Sequence, residues 1–575
     1  MKKMFRFLAP YRKESVLAPL FKMAEASFEL CVPLFVAAMI DKGITPRDTG
    51  EIVKYALLLV LLAALGLVFA VTAQYFSAKA AVGCASGIRS QLFAHIRALS
   101  RAETDTIGIS ALVTRMTGDV NQVQTGVNMT LRLLLRSPFV VFGAVIMAFI
   151  VDVRTALWFA VLVPLLFIVV FAVLLKSLPL YGKVQQAAEK LFAVTRENLT
   201  GVRVIRAFAA EEAQAARFDE RNAALERLQK TVGRVAALLD PLTFVPVNLA
   251  VAGLLYTGAL SVDAGTLSRG ALIAQYNYMS QILVELVKLA GLILTVTKAV
   301  ASAKRIESVL ETAPSLTEGT VEPSEAGAAE AVRFSHVSFA YRGAGAEALT
   351  DISFAARPGE TVGIIGGTGS GKSTLVSLIS RVYDATAGEV SLFGVNVKDV
   401  TAAYLRDAVA VVPQKAALFA GTVRDNLTLR DAGATDEELW QALKNAQADG
   451  IVRDKGGLDA EVEQNGRNFS GGQKQRLTVA RALVGRPRVL ILDDSASALD
   501  YATDAALRVA IAALPFHPTV FVVSQRASGV MKADKVIVLE DGKAVGIGRH
   551  EDLLENCGVY REIYDSQFAD EGGVR

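Results

Sequence analysis

Charge is scarce in this chain: Asp, Glu, Lys and Arg make up only 20% of its 575 residues, whereas apolar residues make up 52%. A water-soluble enzyme of this length normally carries more charge, so part of the sequence is expected to face lipid. The charges present nearly cancel, at a formal +3, which argues against a dominant nucleic-acid surface. Cysteine is almost absent. Cys31, Cys84 and Cys557 are too widely spaced for a metal-ligand pattern or a disulfide framework. No cleavable leader is visible. The opening MKKMFRFLAPYRK is basic and amphipathic, but the apolar run behind it contains Lys22, Glu25 and Glu29 and no small-residue cleavage site. It reads as a surface helix leading into a retained first span.

The chain is too long for one ordinary core, and hydropathy divides it near residue 310. Before that point lie six apolar stretches, at roughly 16–40, 54–77, 131–152, 156–178, 241–262 and 273–297, each able to cross about 30 Å of hydrocarbon as a helix. The connections after the second and fourth stretches are long and helix-patterned, and they carry Arg89, Arg97, Arg101, Arg115, Arg203 and Arg206. Together with the basic N-terminus they place the long connections and both termini in the cytoplasm. Residues 311–331, rich in Pro, Gly, Ala and Glu, read as a linker. From 332 to 575, short β-branched runs such as ETVGIIG, RVLILDD and TVFVVSQ alternate with helical segments, which predicts a largely parallel sheet flanked by helices. The expected fold is a multidomain membrane protein: a six-helix all-α transmembrane domain over 1–310, then an α/β nucleotide-binding domain over 332–575.

The sharpest local signal is Gly366-Gly367-Thr368-Gly369-Ser370-Gly371-Lys372-Ser373-Thr374. It matches G-x-x-x-x-G-K-[ST], follows a predicted strand and precedes the predicted helix LVSLIS, the context a phosphate-binding loop requires. Its glycines let backbone N–H groups converge on phosphate oxygens at a helix N-terminus. In such a loop Lys372 reaches the β- and γ-phosphates and Ser373 ligates Mg²⁺. About 120 residues later the apolar run Val489-Leu490-Ile491-Leu492 ends in Asp493, the form of a Walker B strand whose carboxylate holds the same ion.

Between these motifs stands Asn468-Phe469-Ser470-Gly471-Gly472-Gln473-Lys474-Gln475-Arg476, which resembles the LSGGQ signature of ATP-binding-cassette (ABC) transporters. The rest of that family's pattern is present in order. Tyr341 stands where the adenine-stacking aromatic is expected, Gln414 in VVPQ where a glutamine senses Mg²⁺, and Ser497 to Asp500 resembles the D-loop. The first 300 residues are similar to an exporter-type (type IV) membrane domain. There RMTGDVNQVQ, near 115–124, resembles the first coupling region and ENLTGVRVIRAFAAEE, near 197–212, the second. The resemblance covers nearly the whole chain. It implies a RecA-like cassette with a helical subdomain, ATP and Mg²⁺ as cofactors, and Ser373, Gln414 and Asp493 around the metal. It also implies a half-transporter that dimerises in a bacterial plasma membrane. Each ATP would lie between one subunit's P-loop and the other's Ser470, Gly471, Gly472 and Gln473, with Asp500 at the same interface.

Two positions depart from the pattern. Where the family places a glutamate after the Walker B aspartate, this chain has Asp494; where it places a switch histidine, this chain has Gln525 in VVSQRAS. Asp494 keeps the charge but is one methylene shorter, and a displacement of about 1 Å can cost on the order of 10²-fold in rate. Gln525 can hydrogen-bond a phosphate but offers neither positive charge nor imidazole chemistry. Both changes fall on one γ-phosphate while the signature stays intact. The expectation is a heterodimer: this chain binds ATP and hydrolyses it poorly, and its SGGQ completes a competent site on a second ABC subunit. The alternatives are a homodimer with slow turnover, an importer of siderophores on the same fold, and an ATP-gated regulator that moves nothing.

Charges inside the spans are functional candidates by default. Lys22, Glu25 and Glu29 share one face of the first span, and Glu285 and Lys288 lie near Tyr276, Asn277 and Gln281 in the sixth. Two readings stand side by side: a polar pathway for the cargo, or mutual ion pairing. A drug, peptide, lipid or metal chelate all fit as cargo.

Overall fold

The computed structural model describes residues 6–568. They form two compact units, one running up to Arg97 and again over Ile109–Thr312, the other comprising Ala98–Gly108 and the chain from Ala313 onward. The first unit is built of six long apolar helical stretches, Arg6–Ile44, Thr49–Ala98, Ile109–Val151, Val153–Thr200, Glu211–Asp263 and Arg269–Glu311, each containing one of the six spans expected from hydropathy. The second runs 50 residues, roughly 75 Å at 1.5 Å per residue, more than twice the hydrocarbon thickness. It leaves Leu57, Val60, Leu67 and Val71 exposed, an apolar face suited to lipid rather than water.

The sixth helix organises this unit. Gly126 lies against Ala299, and a Cβ added there would collide with it, so small residues let two helices approach closely. Tyr278 Oη donates to the Leu30 carbonyl at 2.8 Å, and Gln275 Nε2 donates to the Ala148 carbonyl at 2.8 Å. These bonds satisfy polar groups that lipid cannot. Phe159, Leu166, Leu254, Met279 and Ile282 fill the space between the helices.

Charges of the first and sixth spans are joined by ion pairs, through a residue that the sequence reading did not single out. Arg136, on the third helical stretch, donates to Glu29 Oε2 and to Glu285 Oε1, each at 2.6 Å. Glu285 also accepts from Lys288 at 2.8 Å and from Ser137 at 3.0 Å. Lys22 and Glu25 pair at 2.5 Å. The Arg136 and Glu285 side chains are 7% and 3% exposed. Such charges persist away from water only as a matched set.

The segment 115–124, expected as the first coupling region, lies within the membrane unit. It forms the π-turn Arg115–Asp119 and the start of the helix Val120–Leu133, and Arg305 pairs with Asp119. The short helix that belongs with the C-terminal unit is instead Arg101–Ile107. The physical reason is local. Ser100 and Glu103 form a capping box that starts a new helix, and Gly108, at φ 84°, ends it, whereas RMTGDVNQVQ has no such start signal and the helix runs through it. In the region 197–212 the long helix stops at Thr200, and a second short helix, Val202–Ala207, follows before Glu211.

The C-terminal unit has two large sheets, besides the short pairing of Gly421–Thr422 with Glu461–Val462. The antiparallel one has the order Leu349–Ala356, Val332–Phe339, Ala387–Leu392, Val395–Asn396. The other has the order Lys543–Gly548, Lys535–Glu540, Thr361–Gly366, Thr519–Ser524, Val489–Asp493, Val409–Val412. All its pairings are parallel except that of Lys543–Gly548. Near-continuous runs such as VLILD are buried on both faces, as parallel strands require. A helical subdomain with Leu439, Leu443, Val452 and Leu477 in its core packs beside this sheet.

Replacing Arg136 with leucine strands the Glu285 carboxylate and is expected to destabilise the membrane unit by about 3 kcal/mol, the low end for a broken buried pair because Lys288 and Ser137 remain. The double variant Arg136→Leu, Glu285→Leu should regain most of that loss. Thermal unfolding of the purified chain in detergent checks it; a double variant less stable than either single one contradicts the matched-set account.

Candidate functional site

The phosphate loop is shaped by three glycines at positive φ, Gly366, Gly369 and Gly371. At Gly366 a side chain would collide with the Leu539 carbonyl, and at Gly371 a Cβ would come within 2.8 Å of the Ala348 carbonyl, so only glycine lets the loop leave the strand and enter the helix Lys372–Ile379. Lys372 is buried under its own loop. Its Nζ donates to the carbonyls of Gly366 at 2.9 Å and Gly367 at 2.5 Å. Burial pulls the ammonium below its ordinary value, and Asp494 and Asp493 partly offset this.

Parallel pairing sets the opposite wall. Val523 stands beside Asp493 in register, and Ser524 beside Ile365, so Gly366, Asp493 and Gln525 emerge at one edge of the sheet, the carboxyl ends of its strands, where such folds bind ligands. Ser373 Oγ donates to Asp493 Oδ1 at 2.9 Å. Burial pushes the Asp493 carboxyl up; the Ser373 bond opposes this, Asp494 reinforces it, and Lys372 opposes it. Asp494 itself takes φ 45°, a left-handed conformation that aspartate tolerates better than most side chains. Gln414 Nε2 donates to Asp494 Oδ2 at 3.1 Å. Gln475, on the helix after the signature, donates to the Pro413 carbonyl at 3.2 Å, tying the residue before Gln414 to that helix. Lys372, Ser373, Gln414, Asp493 and Asp494 thus form one connected set.

Tyr341 reaches the same loop from the other sheet. Its Oη shares a hydrogen bond with Thr374 Oγ1 at 2.8 Å, and its ring meets Phe339 and Tyr383 edge-on, centroids 4.9 and 5.4 Å away. Tyr341 also lines a cavity of about 490 Å³ bounded by Ser100, Glu103, Asp105, Arg342 and Tyr383. Tyr383 donates to Asp105 at 3.0 Å, and Arg342 lies 3.7 Å from the buried Glu103. The short helix Arg101–Ile107 therefore packs beside the tyrosine. The sequence holds a local trace of that helix, the S-x-x-E box, but nothing in it announces where the helix docks.

Ser470 caps the helix Gly471–Leu483 in a reciprocal box with Gln473, whose Oε1 accepts from the Ser470 N–H at 3.0 Å. The box leaves the first N–H groups of an exposed helix end, at Gly471 and Gly472, pointing outward. Asp500 caps the helix Tyr501–Ala512 by accepting from the Thr503 N–H at 2.9 Å, and that bond holds its carboxyl below the usual range. Gln525 is exposed, and its backbone is gripped by Gln567, a residue with no motif around it.

Comparison with known proteins agrees with this architecture. A profile of the ABC transporter transmembrane region matches residues 15–286, and the ABC transporter profile matches residues 349–497. An uncharacterized ABC transporter ATP-binding protein of Mycobacterium tuberculosis is 37% identical over 574 residues, covering 99% of this chain and 98% of the relative. An ATP-dependent lipid A-core flippase of Pseudomonas fluorescens is 31% identical over 519 residues, 90% of this chain and 86% of the relative. The solved structure of a bacterial Atm1-family ABC exporter with ATP bound superposes with a TM-score of 0.78 at 24% identity, over 97% of this chain and 99% of that one, which shows a shared fold. The chain belongs to the ABC transporters, as a multi-pass membrane protein carrying an ATP-binding cassette with ATPase function.

Proposed function

We propose that this chain is one half of a heterodimeric ABC exporter of a bacterial plasma membrane, with both termini in the cytoplasm, and that its own P-loop site binds ATP with Mg²⁺ but hydrolyses it poorly. The observation that carries the reading is the pairing of Asp494 with Gln414 at 3.1 Å, beside Gln525 in place of an imidazole. The carboxylate that would polarise water is one methylene short and already holds the Gln414 amide. At the next strand end stands a neutral side chain. Tyr341 would stack the adenine, Gly366 to Thr374 would wrap the phosphates, and Lys372 would turn from the loop carbonyls to the β- and γ-oxygens.

The donor set fits a small hard cation. The Ser373 hydroxyl and the Asp493 carboxylate are oxygen ligands 2.9 Å apart, and Gln414 turns its NH₂ toward Asp494, which leaves its carbonyl oxygen as a further donor. Mg²⁺ held there supplies charge neutralisation at the β- and γ-oxygens. Ser470 and its helix end would serve the γ-phosphate of the ATP bound by the second subunit, and that composite site would carry the turnover. Exposed apolar surfaces support a second subunit. Val204 and Phe208, on and just after the short helix between the fourth and fifth spans, are 60% and 79% exposed, and Phe419 and Leu429 of the cassette are 61% and 57% exposed. Closure of two cassettes around ATP then shifts the membrane helices between conformations of different substrate affinity. The names of relatives, a lipid flippase and a putative multidrug export protein, support export of an amphipathic cargo.

Two experiments test this. The chain purified alone should show weak ATPase, and Asp494→Glu with Gln525→His should raise it by roughly 10²-fold, the scale of a restored 1 Å placement; vigorous turnover by the unaltered chain alone would end the heterodimer reading. In the assembled pair, Ser470→Arg should lower ATPase by about 10²-fold, as the loss of an oxyanion donor does, whereas Asp494→Asn should leave it within about twofold. Equal losses from the two substitutions mean two equivalent sites.

A further inference from the structure

The strand Thr519–Ser524 ends one residue before Gln525, yet the backbone beyond it still finds hydrogen-bond partners. Gln567, near the end of the helix Gly558–Phe568, accepts from the Ala527 N–H through Oε1 at 2.8 Å and donates through Nε2 to the Gln525 carbonyl at 2.9 Å. The C=O of one residue and the N–H two residues later are the groups that a residue on a neighbouring parallel strand would engage. One side-chain amide therefore replaces a missing strand. Its orientation is fixed, since the flipped amide would set N–H against N–H and C=O against C=O.

Three other contacts close the same loop. Ser524 Oγ accepts from the Arg526 N–H at 2.9 Å. Ala527 and Val530 sit in a buried cluster with Leu553 and Tyr560, which anchors the C-terminal helices to the loop. Arg508 donates to the Gly529 carbonyl and pairs with Asp504 at 2.8 Å; both lie on the helix that Asp500 caps. Among the described residues, Gln567 is the side chain that bonds the backbone of residue 525 itself.

We propose that Gln567 is a positioning residue for the γ-phosphate end of the site: through its amide, the C-terminal helix fixes the backbone from which the Gln525 side chain reaches the nucleotide. The inference rests on the reading above that Gln525 faces the γ-phosphate. On an unpaired loop the exposed side chain would start from many backbone positions, and the clamp narrows that range before ATP arrives, which is the way preorganisation strengthens binding. ADP lacks the γ-phosphate and should not feel the clamp.

The test is the competition of ATP and of ADP, each with magnesium, against trinitrophenyl-ATP on the purified full chain in nanodiscs. Gln567→Leu should weaken ATP roughly five-fold, the worth of about one net hydrogen bond, and leave ADP unchanged. Gln567→Glu keeps the acceptor for Ala527 and loses the donor to Gln525; it should give the same selective loss and serves if the leucine variant folds poorly. Gln525→Ala is the reference and should also weaken ATP alone. If Gln525→Ala is selective for ATP while both Gln567 variants weaken the two nucleotides equally or not at all, the clamp is only structural and the inference is overturned. If Gln525→Ala leaves the ratio of ATP to ADP affinity unchanged, the γ-phosphate reading itself fails, and the inference falls with it.

Discussion

A single hydrogen bond, Ser373 to Asp493, marks the constraint on which the cassette depends. It joins the first turn of the helix after one parallel strand to the end of another strand, and Thr519–Ser524 lies between those strands in the sheet. Because all three strands run parallel and in register, their carboxyl ends present the glycine-rich loop 366–371, the carboxylates of Asp493 and Asp494 and Gln525 along one edge. An open α/β sheet gathers its functional groups at that edge because the strands leave it into loops. Lys372 under its own loop, Gln414 on Asp494 and Gln567 on the backbone of residue 525 all refine that edge.

The membrane unit answers a different constraint. With no water to satisfy polar groups, the helices bond tyrosine and glutamine side chains to backbone carbonyls of their neighbours and join Glu29, Glu285 and Lys288 into one matched set around Arg136. Of the two readings open for these charges, the pairing is what the geometry displays. Its members come from the first, third and sixth spans, so the set also fixes how those helices face one another.

Motifs contiguous in sequence were readable because their geometry is local. Gly366 to Thr374 announce a strand, a loop and a helix by their own residue types, and the six spans announce themselves by length. The alternation of β-branched runs and helices gave the parallel sheet. What the sequence left hidden depends on distant contacts. Arg136 and Glu285 are 149 residues apart, and nothing local to an arginine within the third span names its partner. Likeness points to 115–124 for the first coupling region, whereas the capping box at Ser100 and the stop at Gly108 mark the helix that belongs with the C-terminal unit. Gln567 carries no signal at all, since a lone glutamine near a chain end is ordinary.

The central claim is that a nucleotide is clasped between two polypeptides, this chain's P-loop on one side and a second subunit's signature on the other, with the roles exchanged at the second site. A cryo-EM map of the assembled transporter with ATP and magnesium tests it most directly. The account predicts Ser470 and the N–H groups of Gly471 and Gly472 against the γ-phosphate of an ATP held by the second subunit's P-loop. A triphosphate bound wholly within one protomer, with Ser470 turned away from every γ-phosphate, would contradict it.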